Sequence, residues 1–133
     1  MSTYLLDTHC LIWFQDNSPK IPKRIMNILQ SPANTILFSQ ISLFEITIKQ
    51  KVGKLSQFVA TIQDVFNQAN LDGFTFLPIN NNHLYHYNDI LLFEQHRDPF
   101  DRLLLATALI EKVSILSADA NFNLYKESVT VIW

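Results

Sequence analysis

Thr3-Tyr4-Leu5-Leu6-Asp7-Thr8-His9 is the stretch on which the fold turns. Thr3 to Leu6 is a short apolar run that stops at an acid, and a helical stretch begins at about His9. A strand this short and this apolar is buried on both faces, and it feeds a loop where the charge appears. The same unit recurs along the chain. Thr35 to Phe38 is a second short strand, Phe74 to Leu77 a third halted by Pro78, Val113 to Leu116 a fourth and Val129 to Ile132 a fifth.

Helical patterns fill the intervals. Pro19 and Pro22 break the chain before Lys23 to Gln30, where Ile25, Ile28 and Leu29 lie at helical spacing. Ser39 to Val52 carries Ile41, Phe44, Ile48 and Val52 as one apolar stripe, with Gly53 at the expected C-cap. A further helix is expected from Ser56 to about Asn70, with Phe58, Ile62, Val65, Phe66 and Ala69 facing inward. Asn82 to Leu92 is read as helical. Asp98-Pro99 opens a helix to about Lys112, with Asp as N-cap and Pro in the first turn. Ala120 to Tyr125 is a short helix. Strands separated by helices in this way specify an α/β class: an open three-layer α/β/α domain around a central parallel sheet of four to five strands. In such sheets ligands bind at the carboxyl ends of the strands, near the point where strand order reverses.

Composition narrows what can bind there. The chain has 133 residues, 48% of them hydrophobic and 17% charged, which suits a single domain over residues 1–133 with a sizeable core. The one cysteine, Cys10, cannot form an internal disulfide and points to a reducing compartment. No apolar run approaches the roughly twenty residues of a membrane span, and the start is too short and too soon charged for a signal peptide. A soluble, cytoplasmic protein with no membrane contact is expected. With only Gly53 and Gly73, neither a Walker loop nor a GxGxxG turn can be written, so phosphate cradles of those kinds are excluded. A cysteine zinc site is excluded too, and His9, His83, His86 and His96 do not form HExxH. The chemistry must then rest mostly on carboxylates.

Five of the twelve acids fall where such a sheet would use them. Asp7 follows the first strand, and Asp119 comes just after the fourth. Asp98 and Asp101 share one side of the helix leading to that strand, and Glu45 lies early in the helix after the second, beside its apolar stripe. Structural roles compete with function at each. Asp98 and Asp119 have the look of N-caps, and Glu45 with Ser42 resembles a capping box; Asp7 has little local structure to cap. Carboxylates brought this close repel one another unless a cation sits among them. An all-oxygen donor set selects Mg²⁺ or Mn²⁺, and the chemistry such a site favours is phosphodiester hydrolysis.

Four segments, in order, resemble the PIN-domain ribonucleases, and in particular the VapC-type toxins of type II toxin–antitoxin systems. They are Leu5-Leu6-Asp7-Thr8-His9 with Trp13; Ser42-Leu43-Phe44-Glu45-Ile46 continuing to Lys49 and Gly53-Lys54-Leu55; His96-Arg97-Asp98-Pro99-Phe100-Asp101-Arg102 leading into Leu105-Ala106-Thr107-Ala108; and Ser117-Ala118-Asp119 with Phe122. By that likeness Asp7, Glu45, Asp101 and Asp119 are metal-binding and catalytic acids, and Asp98 is an additional acid. Thr8 and Ser117 match hydroxyl positions near the metal. The resemblance implies a Mg²⁺- or Mn²⁺-dependent endoribonuclease, usually dimeric and held inactive by a cognate antitoxin.

Two basic residues stand close to these acids. Lys49, one turn beyond Glu45, either reaches a phosphate of the RNA or pairs with Glu45, and Arg102, four after Asp98, has the same two readings. Lys20, Lys23 and Arg24 read as a solvated face. His83 and His86, three apart, lack a third metal ligand and read as surface or packing residues. His9 and His96 either contact substrate or hydrogen-bond within the core. Trp13, Phe14, Phe44, Phe58, Phe66, Phe74 and Phe76 read as core. Two other classes remain open. A haloacid-dehalogenase-like phosphohydrolase also places Asp at the end of its first strand, but wants a second Asp where His9 stands; a metal-stabilised interaction module needs no catalysis.

Overall fold

Leu5 and Leu6 face opposite sides of a sheet that is covered on both. The computed structural model describes residues 2–133. In chain order the elements are β1 (Thr3–Leu6), α1 (Thr8–Gln15), α2 (Lys23–Gln30), β2 (Thr35–Ser39), α3 (Gln40–Lys51), α4 (Ile62–Leu71), β3 (Thr75–Leu77), α5 (Asn81–His86), α6 (Pro99–Glu111), β4 (Ser114–Leu116) and β5 (Val131–Ile132). Short 3₁₀ turns occupy Tyr87–Asp89 and Ala120–Tyr125. The five strands are all parallel, in the order β3-β2-β1-β4-β5. The chain therefore builds outward from β1 in one direction, returns, and builds outward in the other. The order reverses between β1 and β4, and the carboxyl ends of those two strands flank the crevice.

The two-residue period of each strand supplies both cores. Leu6, Ile36, Phe38 and Leu116 pack with α1, α2 and α4, joined by Ile25, Val65 and Ala69. Leu5, Leu37 and Ile115 pack on the other face with Leu104, Leu105 and Ala108 of α6 and with Phe122 and Tyr125. Leu5, Leu6, Leu104, Leu105 and Ile115 have no exposed surface, so truncating any of these to Ala costs about 2–5 kcal/mol. The result is the expected three-layer α/β/α sandwich.

Three sequence readings change. The helix expected from Ser56 starts only at Ile62, after Thr61 caps it through the Asp64 N–H. Before that point the Gln50 side chain donates to the carbonyls of Phe58 and Ala60, which replaces helical bonding, and Phe58 is buried from a loop. The helix expected over Asn82 to Leu92 is α5 alone followed by the 3₁₀ turn, because Asn80 and His83 close a capping box and Ile90 is already extended. In α3 the apolar stripe is misassigned. Phe44 and Val52 are 56% and 61% exposed, and the inward residues are Ile41, Ser42, Glu45 and Ile46. Ile41 joins one core and Ile46 the other, so α3 sits across the end of the sheet and presents polar residues to the crevice.

Candidate active site

The five acids arrive at the crevice by different local devices. Asp7 continues β1, with its N–H bonded to the Leu116 carbonyl of β4, and its Oδ1 accepts the Cys10 N–H as N-cap of α1. Asp98 Oδ1 accepts the N–H groups of Phe100 and Asp101 and caps α6, while Asp119 Oδ1 accepts the Asn121 N–H. Capping and site function are therefore not rivals here. A carboxylate has two oxygens, and in Asp98 and Asp119 Oδ2 keeps no protein partner among the described residues. Asp7, unexpectedly, is also a cap.

These residues line a cleft of about 400 Å³ with Glu45 and Asp101, and Thr8, His9, Lys49, His96 and Arg97 complete its walls. Glu45, Asp98 and Asp101 can place one ligand atom each within 4.8 Å of one another, and so can His96, Asp101 and Asp119. Asp101 belongs to both groups. The structure thus brings together every acid singled out in the sequence.

Hydroxyls brace the acids. The Ser117 hydroxyl donates to Asp7 Oδ2 at 2.5 Å and accepts the Asp119 N–H at 3.1 Å, tying the two carboxylates through one side chain. Thr8 Oγ1 lies 2.6 Å from Glu45 Oε1 and 2.9 Å from Ser42 Oγ. A carboxylate can only accept, so Thr8 donates to Glu45 and accepts a hydrogen bond from the Ser42 hydroxyl. Thr8 and Ser117 are buried, and their hydroxyls hydrogen-bond to the acids. Lys49 Nζ contacts the other Glu45 oxygen at 2.5 Å from the cleft wall.

Electrostatics record the crowding. Burial pushes the Asp7 carboxyl up, against the Ser117 and Cys10 hydrogen bonds, with Asp119 adding repulsion. Asp101 is pushed up to about 7, first by burial and then by Asp98 and Glu45, although the His96 hydrogen bond opposes the shift. At Lys49 burial works against the charge, but the contact with Glu45 outweighs it and the ammonium is held above its ordinary value.

A family model for the PIN domain matches residues 4–127. The chain belongs to the PIN domain family. No curated protein matches it by sequence. Solved structures similar to it include VapBC2 from Rickettsia felis bound to a DNA fragment from their promoter, with a TM-score of 0.70 at 16% identity over 98% of this chain and 97% of that one. VapBC-1 from nontypeable Haemophilus influenzae gives 0.67 at 20% identity over 98% and 96%. VapBC-5 from Mycobacterium tuberculosis, a member of the VapBC family of toxin–antitoxin systems, gives 0.66 at 13% over 99% and 97%.

In this PIN domain Lys49 pairs with Glu45 and His96 hydrogen-bonds within the core, each one of its two expected readings, whereas Arg102 follows neither of its own. Arg102 does not reach the cleft. It is buried, donates to the Ile90 carbonyl at 2.6 Å and to Tyr87 Oη at 3.1 Å, and stacks on the Tyr87 ring. A loop carbonyl far away in sequence thus claims a guanidinium that an i, i+4 pattern assigned to Asp98 or to RNA. His9 is exposed on the cleft wall, whereas His96 is buried with Nε2 2.9 Å from Asp101 Oδ2 and Nδ1 2.7 Å from Tyr125 Oη. With Asp101 ionised, Nε2–H donates to it and Nδ1 accepts the Tyr125 O–H. Sequence reasoning left His96 undecided because its partner Tyr125 is 29 residues away.

Proposed function

We propose that this PIN domain is a divalent-metal-dependent endoribonuclease, the toxin of a type II toxin–antitoxin pair. The observation that carries the reading is the meeting of Asp7, Glu45, Asp98, Asp101 and Asp119 on one cleft at the switch point between β1 and β4. Such a cluster is costly unless a cation shares it, and Asp98 and Glu45 add to the burial that already raises the Asp101 carboxyl. The donor set fits a hard cation: carboxylate oxygens dominate, and Oδ2 of Asp98 and of Asp119 keep no protein partner among the described residues. Asp7, Asp101 and Asp119, with Glu45 and Asp98, would hold Mg²⁺ or Mn²⁺. A divalent ion supplies charge neutralisation at a scissile phosphate and acidifies a water for attack.

The chain's own side chains do the rest. Ser117 and Thr8 fix the carboxylates of Asp7 and Glu45, and His96 fixes Asp101, so the acids are oriented before substrate arrives. Lys49 gives one N–H to Glu45 and has further donors for a phosphate oxygen at the cleft wall. RNA as substrate, a homodimeric state, an antitoxin partner and a cytoplasmic site of action belong to the same reading. It is supported by family membership and by neighbours described as toxin–antitoxin systems or complexes. No helix among the described residues is long and apolar enough to cross a membrane. PIN membership speaks against the haloacid-dehalogenase reading, and digestion with and without EDTA separates the nuclease from a metal-stabilised interaction module.

The test is digestion of a mixed RNA pool with Mg²⁺ or Mn²⁺ and with EDTA, using the wild type and Asp7→Asn. Cleavage with metal only, lost in the variant while circular dichroism is unchanged, is the expected result. Cleavage that persists in EDTA, or undiminished in Asp7→Asn, would overturn it.

A further inference from the structure

The acidic cleft has a neighbour that the proposed chemistry does not use. A second hollow of about 400 Å³ is lined by His9, Trp13, Lys20, Lys54 and Leu55, among others, with Asp16 as its one acid against two lysines. His9 belongs to both hollows, so they meet at its ring. The His9 and Trp13 ring centroids are 5.9 Å apart, and Trp13 is fixed from behind by an edge contact with Trp133 at 5.8 Å. Trp13 is only partly buried, so it serves as a wall and not solely as core. Lys20 Nζ stands over the Trp13 ring, 5.3 Å from its centre, so the exposed His9 ring is the open stacking face and the indole is a wall beside it. Lys20 and Lys54 are exposed and pair with no carboxylate among the described residues.

Two other hollows have different chemistry. The one beyond Asp16 is lined by Asp16, Asp64 and Asp72 with no cation, and would repel a phosphate chain. The one around Phe44, Phe100 and Leu84 is almost wholly apolar. Flat rings beside unpaired lysines, opening directly off the metal-binding acids, form the combination that single-stranded nucleic acid needs: a stacking face for a base and cations for its phosphates.

We propose that the His9–Trp13 groove is a nucleotide subsite for the RNA residue next to the scissile phosphate. The base packs on the exposed His9 ring and the indole wall, and Lys20 and Lys54 hold its flanking phosphates. With Arg97 on the cleft wall, basic residues then bracket the acids, and the strand crosses the cleft instead of lying across an acidic surface. This rests on the ribonuclease reading but is tested by binding, which needs no cleavage.

The measurement is fluorescence anisotropy of a labelled ten-nucleotide single-stranded RNA with the Asp7→Asn protein, over a range of salt, in parallel with wild-type cleavage assays. His9→Ala should weaken binding fivefold or more, with recovery in His9→Phe. Lys20→Ala and Lys54→Ala should each lower the slope of log Kd against log salt by about 0.7. An abasic nucleotide walked along the RNA should weaken binding at one or two adjacent positions, and that penalty should vanish in His9→Ala. Unchanged affinity and salt slope in all three variants would overturn the subsite, while metal-dependent wild-type cleavage would leave the nuclease intact. The subsite is overturned equally if these variants bind RNA normally but fail to pair with the antitoxin protein, since the groove would then be a protein-docking surface.

Discussion

His83 and His96 are both buried, and each presents Nε2 to a carboxylate oxygen at 2.9 Å. In each the other ring nitrogen is also engaged. His83 Nδ1 accepts the Asn80 N–H and completes the capping box of α5, while its Nε2 reaches Glu111 near the end of α6. That pair joins two helices. His96 faces Tyr125 on one side and Asp101 on the other, and Asp101 is also pressed by Asp98 and Glu45. The imidazole chemistry is the same, so the carboxylate and its company separate a pair that joins two helices from one that sits in the acidic cleft.

Removing the carboxylate of the second pair should have the largest effect. Asp101 is the one residue shared by the two groups whose ligand atoms lie within 4.8 Å of one another. Asp101→Asn is expected to lower metal-dependent RNA cleavage by about a thousandfold or more, with the fold retained by circular dichroism. Activity within tenfold of wild type would mean that the cluster is not the reaction centre. Next in size is the imidazole. His96→Gln keeps a donor but not the ring held between two partners, and should weaken Mn²⁺ binding about 10–100-fold by isothermal titration. Tyr125→Phe should act in the same direction and less. If His96→Gln binds Mn²⁺ as wild type does, the distinction between the two histidines fails.

Acidity comes third. With Asp101 at about 7, protons compete with the ion below that pH. Mn²⁺ affinity should fall by up to about tenfold per pH unit from 7 to 5 and level off above 8. The metal-free fold behaves oppositely. A carboxyl raised above its ordinary 3.8 contributes stability that is full below that value and lost as pH rises through about 7. The metal-free protein should therefore melt lower at pH 8 than at pH 5, and Asp101→Asn should flatten that difference.

Much of this architecture was legible, for definite reasons. Strands such as Thr3–Leu6 and Ser114–Leu116 are apolar on both faces, and Asp98-Pro99 announces a helix start, so sheet class and the placing of the acids followed from local pattern. What escaped depended on contacts made through space. In α3 the inward face carries Ser42 and Glu45 because it meets the crevice, so an apolar period pointed to Phe44 and Val52 on the wrong side. Arg102 was drawn off by the Ile90 carbonyl. The helix expected from about His9 begins at Thr8, and its N-cap is Asp7, a role the sequence did not suggest for that carboxylate.

The smallest effect on activity belongs to the other histidine. His83 lies on the α5 side of α6, away from the residues that line the acidic cleft. Replacing it with Ala removes the capping-box acceptor and the contact to Glu111, and leaves a void where a side chain with no exposed surface had been. Each lost hydrogen bond is worth about 1 kcal/mol, more where a charge takes part. His83→Ala should therefore lose about 2–3 kcal/mol and melt several degrees lower, while cleavage per folded molecule and Mn²⁺ affinity stay at wild-type values. Loss of metal affinity in His83→Ala equal to that in His96→Gln would show that α6 transmits any disturbance to Asp101. The special position of His96 would then reduce to its being buried beside the same helix.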